Sequence, residues 1–297
     1  LASNMAAIER IGEYGDCFRD KHSDEKPLVP REAAEVVSLT NDAWTPSVGS
    51  IVVDDAKMRY RDGPLVLKGV SLSIQGGHRV GVVGRTGSGK SSLAAALFRI
   101  VELNGGSISI DGMDTRKLGL RELRRGLFII PQDPVLFSAS LRFNVDPFDE
   151  YSDEEVLGAL KKAELGSLVK SYDKGLQEVL QEGGSNLSVG QRQLVCIARA
   201  LLRKPRILVL DEATASIDNE TDAAIQRQIR DGFVGSTTIT IAHRLHTILD
   251  SDRVLVLDDG KVLEYDAPAT LLADSASRFR ALVDAAKGRS PSQQNLL

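Results

Sequence analysis

Two short clusters in this sequence have residue types and spacing suited to handling a polyphosphate. The first, Gly84-Arg85-Thr86-Gly87-Ser88-Gly89-Lys90-Ser91, fits the P-loop pattern G-x-x-x-x-G-K-[ST]. Glycines at those places let the backbone curl, so that successive N–H groups point inward at phosphate oxygens. A helix opening at Lys90 would aim its positive end at the same anion. Lys90 is expected to reach the β- and γ-phosphates and the Ser91 hydroxyl to ligate Mg²⁺, with Ser92 completing the cradle. The second cluster is Asp211-Glu212, which ends the apolar run Ile207-Leu-Val-Leu210. Open α/β sheets bind ligands at the carboxyl ends of their strands, which puts Asp211 in position to hold Mg²⁺ through water. Glu212 then stands to polarise an attacking water as a general base. Together the clusters imply a nucleoside triphosphate and Mg²⁺.

The elements around these clusters fit that role. Arg79-Val-Gly-Val-Val-Gly84 reads as a buried strand that stops at the glycine loop, and a helix rich in Ala and Leu follows from Lys90 to Ile100. The run at 207–210 is apolar at every position, as expected of a parallel strand covered on both faces. Residues 106–111, 127–130, Thr237 to Ile241 and Arg253 to Leu257 give further strand signals. Ser152-Asp-Glu-Glu155 is a capping box opening a helix through about Leu165. A second helix spans about Gly190 to Leu202, with Leu194, Ile197, Ala198 and Leu201 on one face, and Pro205 stops it. Strands alternating with helices mean α/β, a P-loop fold with a mixed sheet. Before it, residues 48–74 alternate around the turn Asp62-Gly63-Pro64 and suggest an antiparallel β portion. Residues 1–47 read as a linker, with prolines at 27, 30 and 46. The polar stretch at 285–297 reads as a disordered tail.

Bulk properties narrow the function classes. The 297 residues are 42% hydrophobic and 26% charged with a net charge of −4, which argues against a nucleic-acid partner. Cys17 and Cys196 are too few and too far apart for a disulfide framework or metal cage, and Cys196 sits in an apolar run suited to a buried thiol. With no apolar stretch of roughly 18 residues, the chain is not expected to span a membrane itself. It opens on Leu1 and is expected to be a piece of something longer. His22, His78 and His246 draw no role.

The P-loop alone leaves the activity open. The deciding residues are Leu187-Ser-Val-Gly-Gln191, ahead of the helix and the Asp211 strand. They resemble the signature motif of ABC ATPases. Gln132 resembles that family's Q-loop glutamine, Ser216-Ile-Asp218 its D-loop, His243 its switch histidine and Tyr60 the aromatic that stacks on adenine. The resemblance covers roughly Val48 to Val283, with the motifs in the family's order, and implies an antiparallel β subdomain and a helical insert at about 133–204 within a domain at 48–284. It also implies that Ser188, Gly190 and Gln191 face the γ-phosphate held by an opposite domain, that Gln132 contributes an oxygen near Mg²⁺, that His243 bonds the γ-phosphate and that Asp218 works across the interface.

Finer resemblance points to the C subfamily, the multidrug-resistance-associated proteins, and to their second nucleotide-binding domain. The general signature has Gly where this chain has Val189, a departure that the subfamily tolerates. Phe137 to Pro147, Thr240 to Ile248 and Ala7 to Tyr14 resemble the same domain, the last as the stretch after a final transmembrane helix. The resemblance implies an ATPase at the cytoplasmic face of a membrane, partnered by transmembrane domains and a second nucleotide-binding domain, and powering export of organic anions or conjugates. Two rivals stay open: a regulatory module that binds ATP without hydrolysing it, and a soluble ABC ATPase of DNA repair or translation. Retention of both Glu212 and His243 argues against the first. The acidic balance and the lack of a long coiled-coil insert argue against the second.

Overall fold

Alternation at period two builds the first strand, β1 (Ile51–Arg59), whose Ile51, Val53, Ala56 and Met58 point into a core. Its phase slips between Val53 and Ala56, where the register against β2 (Leu65–Ile74) shifts. The computed structural model describes residues 44–211, 219–242 and 244–287. Strands β1 and β2 join β4 (Gly105–Ile110) and β5 (Met113–Asp114) in an antiparallel sheet of order β2-β1-β4-β5.

A second sheet of six strands has the order β10-β9-β3-β8-β7-β6. It contains β3 (Arg79–Val83), β6 (Leu127–Ile130), β7 (Ile207–Asp211), β8 (Thr237–Ile241) and β9 (Arg253–Asp258), all parallel where they pair. Strand β10 (Lys261–Asp266) adds antiparallel at one edge, so the sheet is mixed. Strand β7, flanked by β8 and β6, is buried at every position, which explains its unbroken apolar run. Register fixes the functional edge. Val82 of β3 lies opposite Ile241 of β8, and Ile241 lies opposite Asp211 of β7. The carboxyl ends of three parallel strands therefore share one rim.

Helix α1 (Lys90–Leu97) follows β3, and α2 (Leu120–Gly126) precedes β6. Between β6 and β7 come α3 (Leu141–Val145), α4 (Asp153–Lys162), α5 (Gly166–Ser171) and α6 (Val189–Arg203). Their apolar faces, with Leu160, Val195 and Ile197 fully buried, share one core with Leu180 of the segment between α5 and α6 and with Ile130 and Leu208 of the sheet. A separate core between the two sheets holds Met58, Leu67, Ile110, Val82 and Val209. After β7 come α7 (Asn219–Gly232), α8 (Pro268–Ala273) and α9 (Arg278–Lys287). Among the described residues no helix is long and apolar enough to cross a membrane.

Three boundaries differ from the sequence reading. Helix α1 stops at Leu97, not Ile100, because Arg99 turns left-handed (φ 47°) and sends its guanidinium to the Thr115 and Leu118 carbonyls. The helix expected to reach Leu165 ends at Lys162, where Glu164 takes φ 61° before α5 begins. The last helix continues to Lys287, past residue 284, so the expected tail at 285–297 begins inside a helix. The remainder of that tail, and the linker up to residue 43, lie outside the described residues. Cys196 is buried, as its apolar surroundings suggested.

Candidate nucleotide site

Strand β3 delivers the chain to Gly84 with φ 155°, and Gly89 at the head of α1 has φ 104°. Both conformations suit glycine, and space enforces the choice at Gly84. A Cβ there would lie 2.2 Å from the Leu257 carbonyl oxygen and 2.5 Å from Ser88 Oγ. The loop is backed by the β9–β10 turn, whose Gly260 N–H donates to the Ser88 carbonyl at 3.0 Å. Lys68 of β2 clamps that turn through an ion pair with Asp259. A wall from residues far along the chain thus holds the loop's shape.

Inside the curl, the Lys90 ammonium donates to the carbonyls of Gly84 at 2.6 Å and Arg85 at 3.2 Å. Lys90 is almost fully buried, so its charge is held within the loop. Ser88 Oγ is buried with no hydrogen-bond partner among the described residues. Helix α1 begins without a side-chain cap and with no acidic residue in its first turn, so no side chain of its own first turn compensates its positive end. Arg85, Thr86 and Gly87 are exposed along the loop's outer lip, and Ser91 is half-buried. A buried cation, an orphaned hydroxyl and an uncapped helix start in one curl fit a polyphosphate.

Ser92 faces elsewhere. It is buried, and its Oγ lies 3.1 Å from the Tyr60 hydroxyl. That bond anchors the expected adenine-stacking ring to α1, so Tyr60 is fixed relative to the loop. Asp211 sits at the end of β7, nearly buried, level with Ile241 on the rim beside the loop. The Ala242 N–H donates to the Val82 carbonyl at 3.1 Å, holding the end of β8 against β3. Glu212, Asp218 and His243 lie outside the described residues. Ser91, Asp211 and Gln132 offer hydroxyl, carboxylate and amide oxygens, a donor set that suits a hard cation such as Mg²⁺.

The remaining expected residues lie on α6 and the segment after β6. Ser188 caps α6: its Oγ accepts from the Gln191 N–H at 3.1 Å, and Gln191 Oε1 accepts from the Ser188 N–H at 2.9 Å. Ser188 and Val189 are exposed and Gly190 half-exposed, so the cap is presented outward. Among the described residues no hydrogen bond joins Ser188–Gln191 to residues 84–92. The structure brings residues 60, 84–92 and 211 into one region and leaves the 188–191 cap as a separate surface.

Sequence reasoning missed Gln193, which is buried and donates from Nε2 to the carbonyls of Gln132 at 2.7 Å and Pro131 at 3.1 Å. It also missed Asn144 and Arg199. Asn144 accepts from the Phe137 N–H at 2.8 Å and returns a bond to the Phe137 carbonyl at 3.0 Å, while the Arg199 guanidinium bonds Asn144. A signal was available: Gln193 and Arg199 are polar residues inside a helix run buried from 193 to 202, and such groups need partners.

Comparison with known proteins agrees with this geometry. The family model described as ABC transporter matches residues 67–215. ATP-binding cassette sub-family C member 2 of Rattus norvegicus is 52% identical over 278 residues, which is 93% of this chain and 17% of that protein. ABC transporter C family member 3 of Dictyostelium discoideum is 52% identical over 285 residues, 95% of this chain and 19% of that protein. This chain thus spans under a fifth of the length of the curated relatives it matches. A solved structure described as a bacterial Atm1-family ABC exporter with ATP bound superposes with a TM-score of 0.77 at 35% identity, covering 84% of this chain and 44% of that one. With this family match over loop, rim and signature helix, the chain belongs to the ABC transporter family, as an ATPase domain similar to members of the C subfamily.

Proposed function

We propose that this chain binds Mg²⁺·ATP in the loop at 84–92 and hydrolyses it at the rim beside Asp211, as the second nucleotide-binding domain of a C-subfamily exporter. The observation that carries this reading is the Lys90 ammonium held inside the loop by the Gly84 and Arg85 carbonyls. Phosphate oxygens offer that ammonium stronger partners than neutral carbonyls do, and the loop amides and the α1 terminus add donors around the same anion.

Tyr60, tied to Ser92, would hold the adenine ring against α1. Ser91, Asp211 and Gln132 would hold Mg²⁺, which when bound neutralises charge on the phosphates. Lys90 neutralises the charge that grows on the transferring phosphoryl group. Glu212, next in the chain after Asp211, takes a proton from the attacking water and directs it in line. His243, following the end of β8, donates a hydrogen bond to the γ-phosphate and reports its loss. The outward cap at Ser188 and Gly190 serves the nucleotide of an opposite domain, with Gln191 holding the cap and Asp218 lining the interface.

The partners on this reading are transmembrane domains and a second nucleotide-binding domain, the location is the cytoplasmic face of a membrane, and the cargo is organic anions or conjugates. Alone, the chain is a weak ATPase. The deciding experiment is Glu212→Gln, measured by phosphate release and by sedimentation with ATP. Turnover should vanish while ATP binding persists and ATP-bound association strengthens. Unchanged turnover would remove Glu212 from its role.

A further inference from the structure

The segment leaving β6 is fastened to the signature helix at both of its ends. At the near end, Gln193 spends both protons of its side-chain amide on the backbone carbonyls of Pro131 and Gln132. At the far end, Asn144 bonds the Phe137 backbone twice and the Ser140 carbonyl at 3.1 Å, and Arg199 bonds Asn144 in turn. Gln193 and Arg199 both stand on α6, the helix that Ser188 caps. The six residues from Gln132 to Phe137 therefore hang from α6 as from a rail. Gln193 is 1% exposed, and its Oε1 has no hydrogen-bond partner among the described residues. A buried acceptor left unmatched is a standing cost, whereas an apolar side chain of the same shape would avoid it.

We propose that Gln193 is a positioning residue for the ATPase reaction: it fixes the backbone of Gln132 to the signature helix, so that the metal-side oxygen of Gln132 and the Ser188 cap move as one body. On the reading above, which this inference extends, Gln132 serves the nucleotide held by this chain's own loop and Ser188 serves the one held by the opposite domain. The amide of Gln193 is then the link through which occupancy of one site biases the other. The mechanism is a rigid attachment. Two carbonyls on consecutive residues, gripped by one planar amide, cannot rotate without breaking a buried bond.

The test compares the chain with Gln132→Ala, Gln193→Met and the double variant. Methionine keeps the length and helix preference of glutamine and removes both donors. ATP affinity is measured by equilibrium dialysis with and without Mg²⁺, and amide hydrogen exchange is followed at 131–137 in the nucleotide-free chain. The expected result for Gln193→Met is metal-free ATP affinity within about twofold of wild type. Its Mg²⁺-dependent gain should fall about as far as in Gln132→Ala, roughly fivefold or more, and the double variant should be no worse than either single one. Exchange at 131–137 should quicken by about tenfold or more. A Gln193→Met chain that keeps the full Mg²⁺-dependent gain, where Gln132→Ala loses it, overturns the proposal. If Gln132→Ala itself keeps the gain, the metal-side role of Gln132 fails. Exchange then decides the attachment alone: faster supports it and unchanged overturns it. Should Gln193→Met fail to fold, Gln193→Glu replaces it, since that isostere turns the donor edge into an acceptor facing the same two carbonyls.

Discussion

Backbone N–H groups gather around a point at several places among the described residues, and three of these treat the resulting positive field differently. At residues 47–50, the Asp111 carboxylate fills the nest: Oδ2 accepts from the amides of Ser47, Val48 and Gly49, and Oδ1 accepts from Ser50. At α6 the neutral Ser188 hydroxyl and Gln191 amide cap the helix from within. At Gly84–Lys90 the helix opens with no side-chain cap and no acidic residue in its own first turn, and the loop adds an ammonium. The first arrangement satisfies itself and is structural. The last needs an anion brought from outside. The middle one is satisfied yet exposed, as suits a surface that meets a second molecule. An amide cluster signals a ligand only where the fold declines to fill it.

The strongest way to break this comparison is Lys90→Met. Charge-assisted bonds to phosphate contribute about 1.5–3 kcal/mol, so ATP affinity should drop roughly 10- to 100-fold while the melting temperature of the nucleotide-free chain changes little. Equal affinity in the variant would mean that the loop's open field is not the phosphate site. Gly84→Ala sharpens the same point through shape. Its Cβ would overlap the Leu257 carbonyl, so the wall or the loop must move, at about 1–3 kcal/mol in thermal unfolding.

Asp111→Asn tests the filled nest. Burial alone would raise this carboxyl's pKa, but the amides of Gly49, Val48 and Ser50 outweigh it and bring the value from 3.8 down to about 2. A folded pKa below the unfolded one means the carboxylate's contribution is complete above about pH 4 and drains away as the pH falls toward about 2. The variant should lose about 1–3 kcal/mol near neutrality, because an NH₂ replaces an acceptor facing several N–H groups. Its stability should also depend less on pH between 4 and 2 in urea titrations. ATP affinity should stay unchanged, which separates a filled nest from an open one.

What the sequence disclosed, and what it hid, follows sequence distance. The phosphate loop is a local object: glycine spacing, a preceding apolar strand and a following helix lie within 20 residues, and Thr237–Ile241 was delimited by its own composition. The family's motifs around 132 and 187–191 were legible for the same reason. The support was not. Gln193 reads as one more polar residue in a helix until its partners, 61 and 62 positions away, are brought beside it. The wall behind the loop comes from Leu257 and Gly260, and the Tyr60–Ser92 bond crosses 32 positions. Left-handed turns at Arg99 and Glu164 ended two helices early, because side chains that ordinarily favour helix yielded to tertiary bonds and chain reversal.

The smallest effect tests the capped, outward helix. Ser188→Ala removes the oxygen that accepts from the Gln191 N–H and should lower stability by about 1 kcal/mol, the usual cost of losing a serine cap. Because the described cap bonds stay within α6, ATP affinity of the isolated chain should remain within about twofold of wild type. What should weaken is ATP-dependent association with a second domain, read by sedimentation in a Glu212→Gln background where turnover does not drain the complex. A loss of affinity in the isolated chain as large as that of Lys90→Met would mean that the two helix starts serve one nucleotide in one molecule. The division between an open site and a presented surface would then collapse into a single intramolecular site, and the need for a second domain would go with it.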